Sequence, residues 1–224
     1  MSWKEIKKSV NDNLSIPLNQ QIRNNRFLPA RIITKTTDWV VERSGWYKII
    51  CVGAGGLAEN SSSYTRSGGS GGVSIKDTLL SSGDTVSIIL TNGTVTAIGM
   101  IAEVGGDATT STPGKGGKAS GGDSNFSGKA GISSGSTNNR SLVDSTPVTV
   151  YIPELSFVNS MYEIEDADFP STYFDKSRTL GSSILGYGLG QGMWKAIDAT
   201  GGIPETTKLN RSGVCIVIPL EYTE

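Results

Sequence analysis

The 224-residue chain contains no histidine, and this absence removes whole classes of chemistry. Without imidazole there is no Ser-His-Asp or Cys-His mechanism, no histidine general base and no zinc site that depends on histidine. The chain has only two cysteines, which cannot supply a four-thiolate zinc or iron–sulfur site. We therefore predict that the protein is not an enzyme and that it needs no metal or cofactor.

An excess of charge of one sign and a long apolar run are also missing. Twenty basic residues stand against 21 acidic ones, so the chain offers no basic footprint for nucleic acid or for an anionic membrane. The sequence has no signal peptide and no apolar run of about 18 residues. We expect a soluble protein made in the cytosol, with no nucleic-acid partner and no membrane insertion.

The two cysteines lie in similar apolar runs near the two ends of the chain. Cys51 belongs to the run IICV and Cys215 to the run VCIVI, and both runs are typical of buried strands. Because free cysteine is among the most buried residue types, we predict two buried thiols. A disulfide between them would need an oxidising compartment, so bridging is left open. The likeness of the two runs predicts that the last strand returns to the same sheet.

The first residues predict one short helix. Ser2 and Glu5 have the spacing of a capping box, and Pro17 marks the end of the helix. Four apolar residues at spacings of three, four and four form a stripe along one face: Trp3, Ile6, Val10 and Leu14. Because so short a helix is marginal alone, it either packs on this chain's own core or docks in an assembly.

Glycine is abundant, with 29 residues, and 20 of these lie between residues 53 and 135. Runs that predict strands separate the glycine clusters, and Asn92-Gly93 predicts a type I′ hairpin turn between two of these strands. Tight turns in a loop-rich β domain are the simplest explanation of the clusters. The alternatives are close-packed glycine segments, extended like polyproline II, and bare loops presented to a ligand.

The composition changes twice along the chain, which predicts three parts. Residues 1–30 form an anchoring or oligomerising helix and a connector. Residues 31–139 form a glycine-rich β domain, and residues 140–224 form an aromatic loop region whose last strand rejoins that domain. The predicted fold is all-β and sandwich-like, with one short N-terminal helix.

Two motifs imitate sites that carry chemistry. Residues 53–58, GAGGLA, fit the dinucleotide-binding pattern, but a polar Ser/Gly stretch follows where that pattern requires a helix. We therefore expect no nucleotide there. Glu163 and Asp168 could in principle form the carboxylate pair of a glycosidase. A solvated face is the commoner role of such clustered acids.

Several stretches together resemble the glycine-rich domains of bacteriophage tail fibres and tail-fibre adhesins. They are SGWYKIICVGAGG, GGSGGVSI and SGDTVSIIL, and the closing SGVCIVIPLEY is similar to that family's final strand. The opening MSWKEIKKSVNDNLSIPLNQQI resembles short N-terminal helices of tail proteins from Gram-positive phages or tail-derived bacteriocins. The chain departs from the family pattern at residues 153–175, which are unusually aromatic and acidic.

The resemblance implies a homotrimeric fibre in a virion tail or tail-like particle, assembled in the host cytoplasm with other tail or baseplate proteins. Exposed loops would then recognise a bacterial surface saccharide. Aromatic rings stack on sugar faces, so the candidate receptor-binding residues are Tyr187, Trp194 and Tyr64.

Two other functions compete with receptor binding. The first is a baseplate or fibre-attachment subunit with no receptor-binding role, because abundant glycine turns suit either function. The second is a saccharide-cleaving depolymerase that uses Glu163 and Asp168, although no repeating β-helix period is present.

Replacing Ile6 and Val10 by Asp tests the role of the helical stripe in assembly. Unpaired charges buried at a helix interface cost several kcal/mol, so the double variant should lose its oligomeric state while its β domain stays folded. Sedimentation velocity of the full chain measures this loss, and circular dichroism reports the fold. A wild-type chain that sediments as a monomer, alone and with its particle partners, would contradict the prediction.

Overall fold

The computed structural model describes the following parts of the chain: residues 30–60, 64–135, 140–143, 150, 161–163, 179–182, 187–188, 190, 193–196, 205–206 and 212–223. These parts contain eighteen strands and no helix, in agreement with the all-β prediction. None of their elements is a helix that could cross a membrane. Trp3, Ile6, Val10 and Leu14 lie outside the described residues, so the N-terminal helix and the trimer stay predictions.

Ten of the strands form two five-stranded antiparallel sheets. The first sheet contains, in spatial order, β1 (Arg31–Ile33), β18 (Val214–Tyr222), β3 (Gly45–Val52), β6 (Val73–Leu80) and β11 (Ser124–Phe126). The second contains β10 (Ala119–Ser120), β9 (Met100–Ala102), β8 (Thr94–Ala97), β7 (Thr85–Thr91) and β2 (Thr37–Val40).

The other eight strands form three smaller sheets. The first contains β12 (Ser133–Gly135), β5 (Tyr64–Arg66) and β4 (Glu59–Asn60). The second contains β13 (Arg140–Val143), β16 (Met193–Ala196) and β17 (Glu205–Thr206). The third contains β14 (Met161–Glu163) and β15 (Thr179–Ser182).

The two large sheets pack face to face around a common core. Successive side chains of a strand point to opposite faces, so Ile49 and Cys51 of β3 point to the same side of the first sheet. They belong to one buried cluster with Ile88 of β7 and Met100 of β9, which are in the second sheet. Fully burying each large apolar side chain stabilises the fold by about 1.5–3 kcal/mol, so this interface holds the sandwich together.

The last strand returns to the sheet of Cys51, as the sequence predicts. β18 pairs with β3 along almost its whole length, and Cys215 lies directly opposite Cys51. Both thiols are free and fully buried, which confirms the predicted burial. Hydrogen bonding with the Cys51 side chain, together with burial, raises the pKa of the Cys215 thiol well above its usual range.

The turn between β7 and β8 is the predicted two-residue hairpin. Asn92 and Gly93 have φ values of 48° and 79°, and a type I′ turn requires a positive φ at both central residues. The register places Thr91 opposite Thr94, so no residue is left over in the ladder.

Most of the glycine clusters are neither turns nor open loops but extended segments that lie side by side. The segments are residues 53–57, 67–72, 103–108, 114–118 and 128–132, and we call them the glycine bundle. No glycine within them has a positive φ. Tight turns are therefore the wrong explanation for these clusters, and close-packed extended segments are the right one.

Residues 67–72 form the central segment of the glycine bundle, and all six residues are buried. The N–H groups of Gly69 and Gly72 donate to the carbonyls of Gly106 and Glu103, each at 3.0 Å. Backbone hydrogen bonds also join the central segment to the other three segments. Gly53 N–H donates to Gly72 O at 2.9 Å, Gly114 N–H donates to Ser67 O at 3.1 Å, and Ser70 N–H donates to Lys129 O at 3.0 Å. The central segment is thus hydrogen-bonded to all four of its companions.

The central segment repeats every three residues, which is the period of a polyproline II helix. Each of its three faces meets a different neighbour: Gly68 and Gly71 face residues 53–57, Gly69 and Gly72 face residues 114–118, and Ser67 and Ser70 face residues 128–132. A methyl group on any of these four glycines would overlap a carbonyl of the facing segment. Glycine is required here because backbone packs directly on backbone.

Replacing Gly69 by Ala tests this packing, with Gly106→Ala as the matched control. The new methyl group at residue 69 would overlap the carbonyl oxygen of Lys115, whereas at residue 106 the nearest atom is 3.1 Å away. Backbone cannot move aside as a side chain can, so we expect Gly69→Ala to lower the free energy of unfolding by about 3 kcal/mol or more. The control should lose about 1 kcal/mol or less. Urea unfolding measures both, and equal losses would contradict the packing argument.

Candidate functional site

The glycine bundle continues the strands of the two large sheets at one end of the sandwich. β3 leads into residues 53–57, residues 67–72 lead into β6, and β9 leads into residues 103–108. The far end of the bundle carries the small sheet of β4, β5 and β12 and the turn at residues 107–113. We call this end the distal face.

Arg66 links the small sheet to the neighbouring turn. On β5 it lies opposite Glu59 of β4 and Ser133 of β12. Its Nη1 donates a hydrogen bond of 2.7 Å to the carbonyl oxygen of Thr110. A charge-assisted bond of this kind fixes the turn against the sheet.

The turn at residues 107–113 is fixed by its own short polar side chains. The Asp107 carboxylate accepts a 2.6 Å hydrogen bond from the Leu57 amide. The Thr109 amide donates to the Thr112 carbonyl at 2.8 Å, and the Thr112 amide donates to the Thr109 hydroxyl at 3.0 Å. A loop held in this way has little conformational freedom left to lose.

Two of the three candidate receptor-binding residues lie on strands that the fold brings together. Tyr64 begins β5, and Trp194 lies on β16 between Leu142 of β13 and Glu205 of β17. Strand β16 packs against β4 and β5, and β13 packs against β5 and β12. The strands of Tyr64 and Trp194 are therefore neighbours at the distal face.

Tyr187 lies elsewhere, on the outer face of the first large sheet. It is half-buried and packs against a second apolar cluster, which includes Ile50, Val73 and Ile216. The adjoining Gly188 accepts a 2.9 Å hydrogen bond from the amide of Gly71. The ring therefore packs on a buried apolar cluster and does not stand free of the protein. Its role as a receptor anchor stays a prediction.

Two buried serines support the distal face, and sequence analysis did not single them out. The Ser70 hydroxyl accepts a 2.7 Å hydrogen bond from the Lys129 amide, and the Ser67 hydroxyl accepts one of 2.8 Å from the Ile132 amide. Both serines are fully buried. Ser67 and Ser70 are three residues apart, as are the glycines around them. This shared spacing is visible in the sequence and indicates that the serines belong to the same repeat.

Only one of the two carboxylates considered for catalysis lies in the described part of the chain. Glu163 ends β14, and Asp168 lies outside the described residues. Within the described residues no group of three or more Asp, Glu, Cys or His side chains could hold a metal ion.

The nucleotide-like motif at residues 53–58 is part of the glycine bundle and does not open a helix. The amides that a phosphate would need already have acceptors: Gly53 donates to Gly72, Ala54 to Gly93 and Gly56 to Gly69. A helix N-terminus binds phosphate through free amides. These amides are therefore not free to bind a phosphate group, as the motif would require.

Comparison of the chain with protein-family models, with curated proteins and with solved structures finds no match.

We expect calorimetric titration with NAD or ATP to show no binding, because the amides of Gly53 and Gly56 are engaged in the glycine bundle. Free phosphate and free adenosine serve as controls for weak non-specific heats. Saturable binding of either nucleotide that Gly55→Val abolishes without unfolding the protein would contradict the prediction.

Proposed function

We propose that this protein is a structural component of a phage tail or tail-like particle and acts as its receptor-binding fibre. In this proposal the distal face contacts a saccharide of the bacterial surface, and the N-terminal helix joins the chain to its copies and to other tail or baseplate proteins. The observation that carries the proposal is the glycine bundle, which holds an exposed polar face at the end of a β-sandwich.

The glycine bundle suits this task because its segments are fixed to each other by backbone hydrogen bonds. Loops carry binding function when a rigid scaffold positions them. The amide of Gly69 and the hydroxyl of Ser70 lie in the buried central segment and are both satisfied there. A small displacement of one segment would break such bonds, so the distal face keeps its shape when a ligand binds.

The chemistry of the distal face also suits a saccharide. Thr109, Ser111 and Thr112 are exposed and supply hydroxyl groups. Tyr64 lies on β5 of the small sheet, which Arg66 joins to this turn, and the strand of Trp194 packs against β4 and β5. Sugar recognition combines aromatic rings with a few placed polar groups, and binding without catalysis fits a chain that has no histidine.

A fibre-attachment subunit is the second candidate, and one observation favours it. Ile89, Thr96 and Ile101 stand in one row across the second large sheet, and both isoleucines are more than 40% exposed. A neighbouring subunit that covers this row would place the chain inside an assembly instead of at its tip.

Replacing Tyr64 and Trp194 by Ala, separately, tests the receptor-binding proposal. Each ring, if it anchors a sugar, should contribute about 1–3 kcal/mol to binding. The full-length variants are titrated against intact bacterial cells and an array of purified cell-wall polysaccharides. Trp46→Ala is the matched control. Trp46 is 43% exposed and lies at the start of β3, away from the end of that strand that leads into the glycine bundle.

The same assay separates the two candidate functions. Weaker binding by the Tyr64 and Trp194 variants, with unchanged thermal unfolding and an unaffected control, supports receptor binding. Unchanged binding by both variants, or binding lost only together with folding, would favour the attachment subunit. Tyr187→Ala should also lower stability, because the ring packs against the buried cluster that includes Ile50 and Ile216.

A further inference from the structure

Cys51 and Cys215 are the two cysteines of the chain, and the fold places them directly opposite each other on the neighbouring strands β3 and β18. Both side chains belong to the buried cluster between the two large sheets, so they point to the same face. The two thiols are hydrogen-bonded to each other. The pair lies in the sandwich and not at the distal face, and its use does not depend on the proposed function.

The backbone hydrogen bonds near the pair show which kind of antiparallel pair it is. Gly53 N–H donates to Gly72 O at 2.9 Å, so the backbone polar groups of Gly53 point to the side of β6. These groups alternate in direction along a strand, so those of Cys51 also point to β6 and away from β18. Cys51 and Cys215 therefore form a non-hydrogen-bonded pair.

The other end of β3 gives the same alternation. Thr223 N–H donates to Ser44 O at 3.0 Å, so the backbone groups of the even-numbered residues of β3 point to β18. Pro219 has no N–H to donate, and it lies opposite the odd-numbered Tyr47. Cys51 is odd-numbered as well, so its backbone groups do not bond to β18.

This kind of pair has the dimensions that a disulfide needs. In a non-hydrogen-bonded pair the two Cα atoms are about 4.5 Å apart, and the side chains are closer than in the other kind of pair. Disulfides usually join residues whose Cα atoms are about 4.4–6.8 Å apart. The sheet therefore already holds Cys51 and Cys215 at a bonding separation, and only side-chain rotation and a small contraction are left.

The position of the pair along the chain gives such a bond a large effect. A bond between Cys51 and Cys215 closes a loop that contains every segment of the glycine bundle, from residue 53 to residue 132. A cross-link restricts the unfolded chain, and it does so more strongly for a longer loop. The bond would therefore stabilise the sandwich and the bundle together.

We propose that Cys51 and Cys215 form a redox-sensitive site, which closes to a cross-strand disulfide in oxidising surroundings and opens to two thiols in reducing ones. The oxidant is a small disulfide such as oxidised glutathione. One protein thiolate attacks it, forms a mixed disulfide and releases a glutathione thiolate. The second protein thiolate attacks the protein sulfur of the mixed disulfide and releases the other glutathione thiolate. The two thiol protons pass to the two glutathiones, so one oxidised glutathione becomes two reduced ones.

Burial makes this exchange depend on opening of the last strand. Both thiols are fully buried, and hydrogen bonding with Cys51 together with burial raises the pKa of the Cys215 thiol. Because the thiolate is the attacking species, the closed sandwich neither admits glutathione nor offers it a nucleophile. The bond therefore forms as the chain folds or when β18 opens locally, and the closed core then shields it from reductants.

Refolding of the full chain in two glutathione buffers tests the site. Protein unfolded in urea is diluted into oxidised or reduced glutathione, free thiols are alkylated, and peptide mass spectrometry locates any bond. We expect the Cys51–Cys215 bond in the oxidised buffer and two alkylated thiols in the reduced one. The bridged protein should unfold at a higher urea concentration than the thiol form, because its unfolded chain is restricted.

Cys51→Ala and Cys215→Ala are the matched controls, because each leaves one thiol that has no partner for the bond. Each variant should unfold at the same urea concentration after either buffer. A second measurement needs no variant. Folded wild-type protein in oxidised glutathione should form the bond at least about tenfold more slowly than the refolding chain, and urea below the unfolding transition should speed the reaction.

Four results would overturn the proposal. Refolding in oxidised glutathione that leaves both thiols free, or one of them joined to glutathione, would show that the sheet does not close the bond. A bridged protein that unfolds at the same or a lower urea concentration would show that the bond strains the fold. An equal shift in Cys51→Ala would assign the effect to the buffer. Equally fast bond formation in the folded protein would show that burial does not control the exchange.

Discussion

The direct contact of backbone with backbone in the glycine bundle is the constraint on which the rest of the structure depends. Gly69 can donate to Gly106 only because no side chain separates its segment from the neighbours, and the carbonyl of Lys115 occupies the place of a Cβ. Such a bundle buries little apolar surface, so its stability comes from many satisfied hydrogen bonds, each worth about 0.5–1.5 kcal/mol net. Every glycine also carries an entropic cost on folding. The bundle therefore needs a partner that is stabilised in another way.

The β-sandwich is that partner, and it also sets the register of the bundle. Residue 52 ends β3 and residue 53 begins the first segment, while residue 72 ends the central segment and residue 73 begins β6. Because Val52 lies opposite Val73 in the sheet, Gly53 and Gly72 come together and form the first hydrogen bond beyond it. The apolar core supplies the free energy, and the strands bring the glycine segments together in the alignment that they need.

The sequence predicts the sandwich better than the bundle, for a physical reason. Alternation and apolar runs are strong local signals, so the β3–β18 pairing, the buried cysteines and the Asn92-Gly93 turn are confirmed. Glycines of the bundle recur every three residues, but in any one segment this repeat covers only two positions, such as Gly53 and Gly56 or Gly128 and Gly131. Its partners are distant in sequence, so one segment alone looks like a flexible loop.

The way the distal face is held predicts that it tolerates substitutions better than the glycine bundle does. The turn at residues 107–113 and strands β4 and β5 lie beyond most of the hydrogen bonds of the bundle, and they are held by local contacts such as that of Arg66 with Thr110. A substitution there alters a few side-chain contacts, whereas one at Gly69 or Gly71 meets a carbonyl of another segment. Substitutions should therefore destabilise the protein less at the distal face than in the glycine bundle beneath it, and this difference suits the receptor-binding role that we propose.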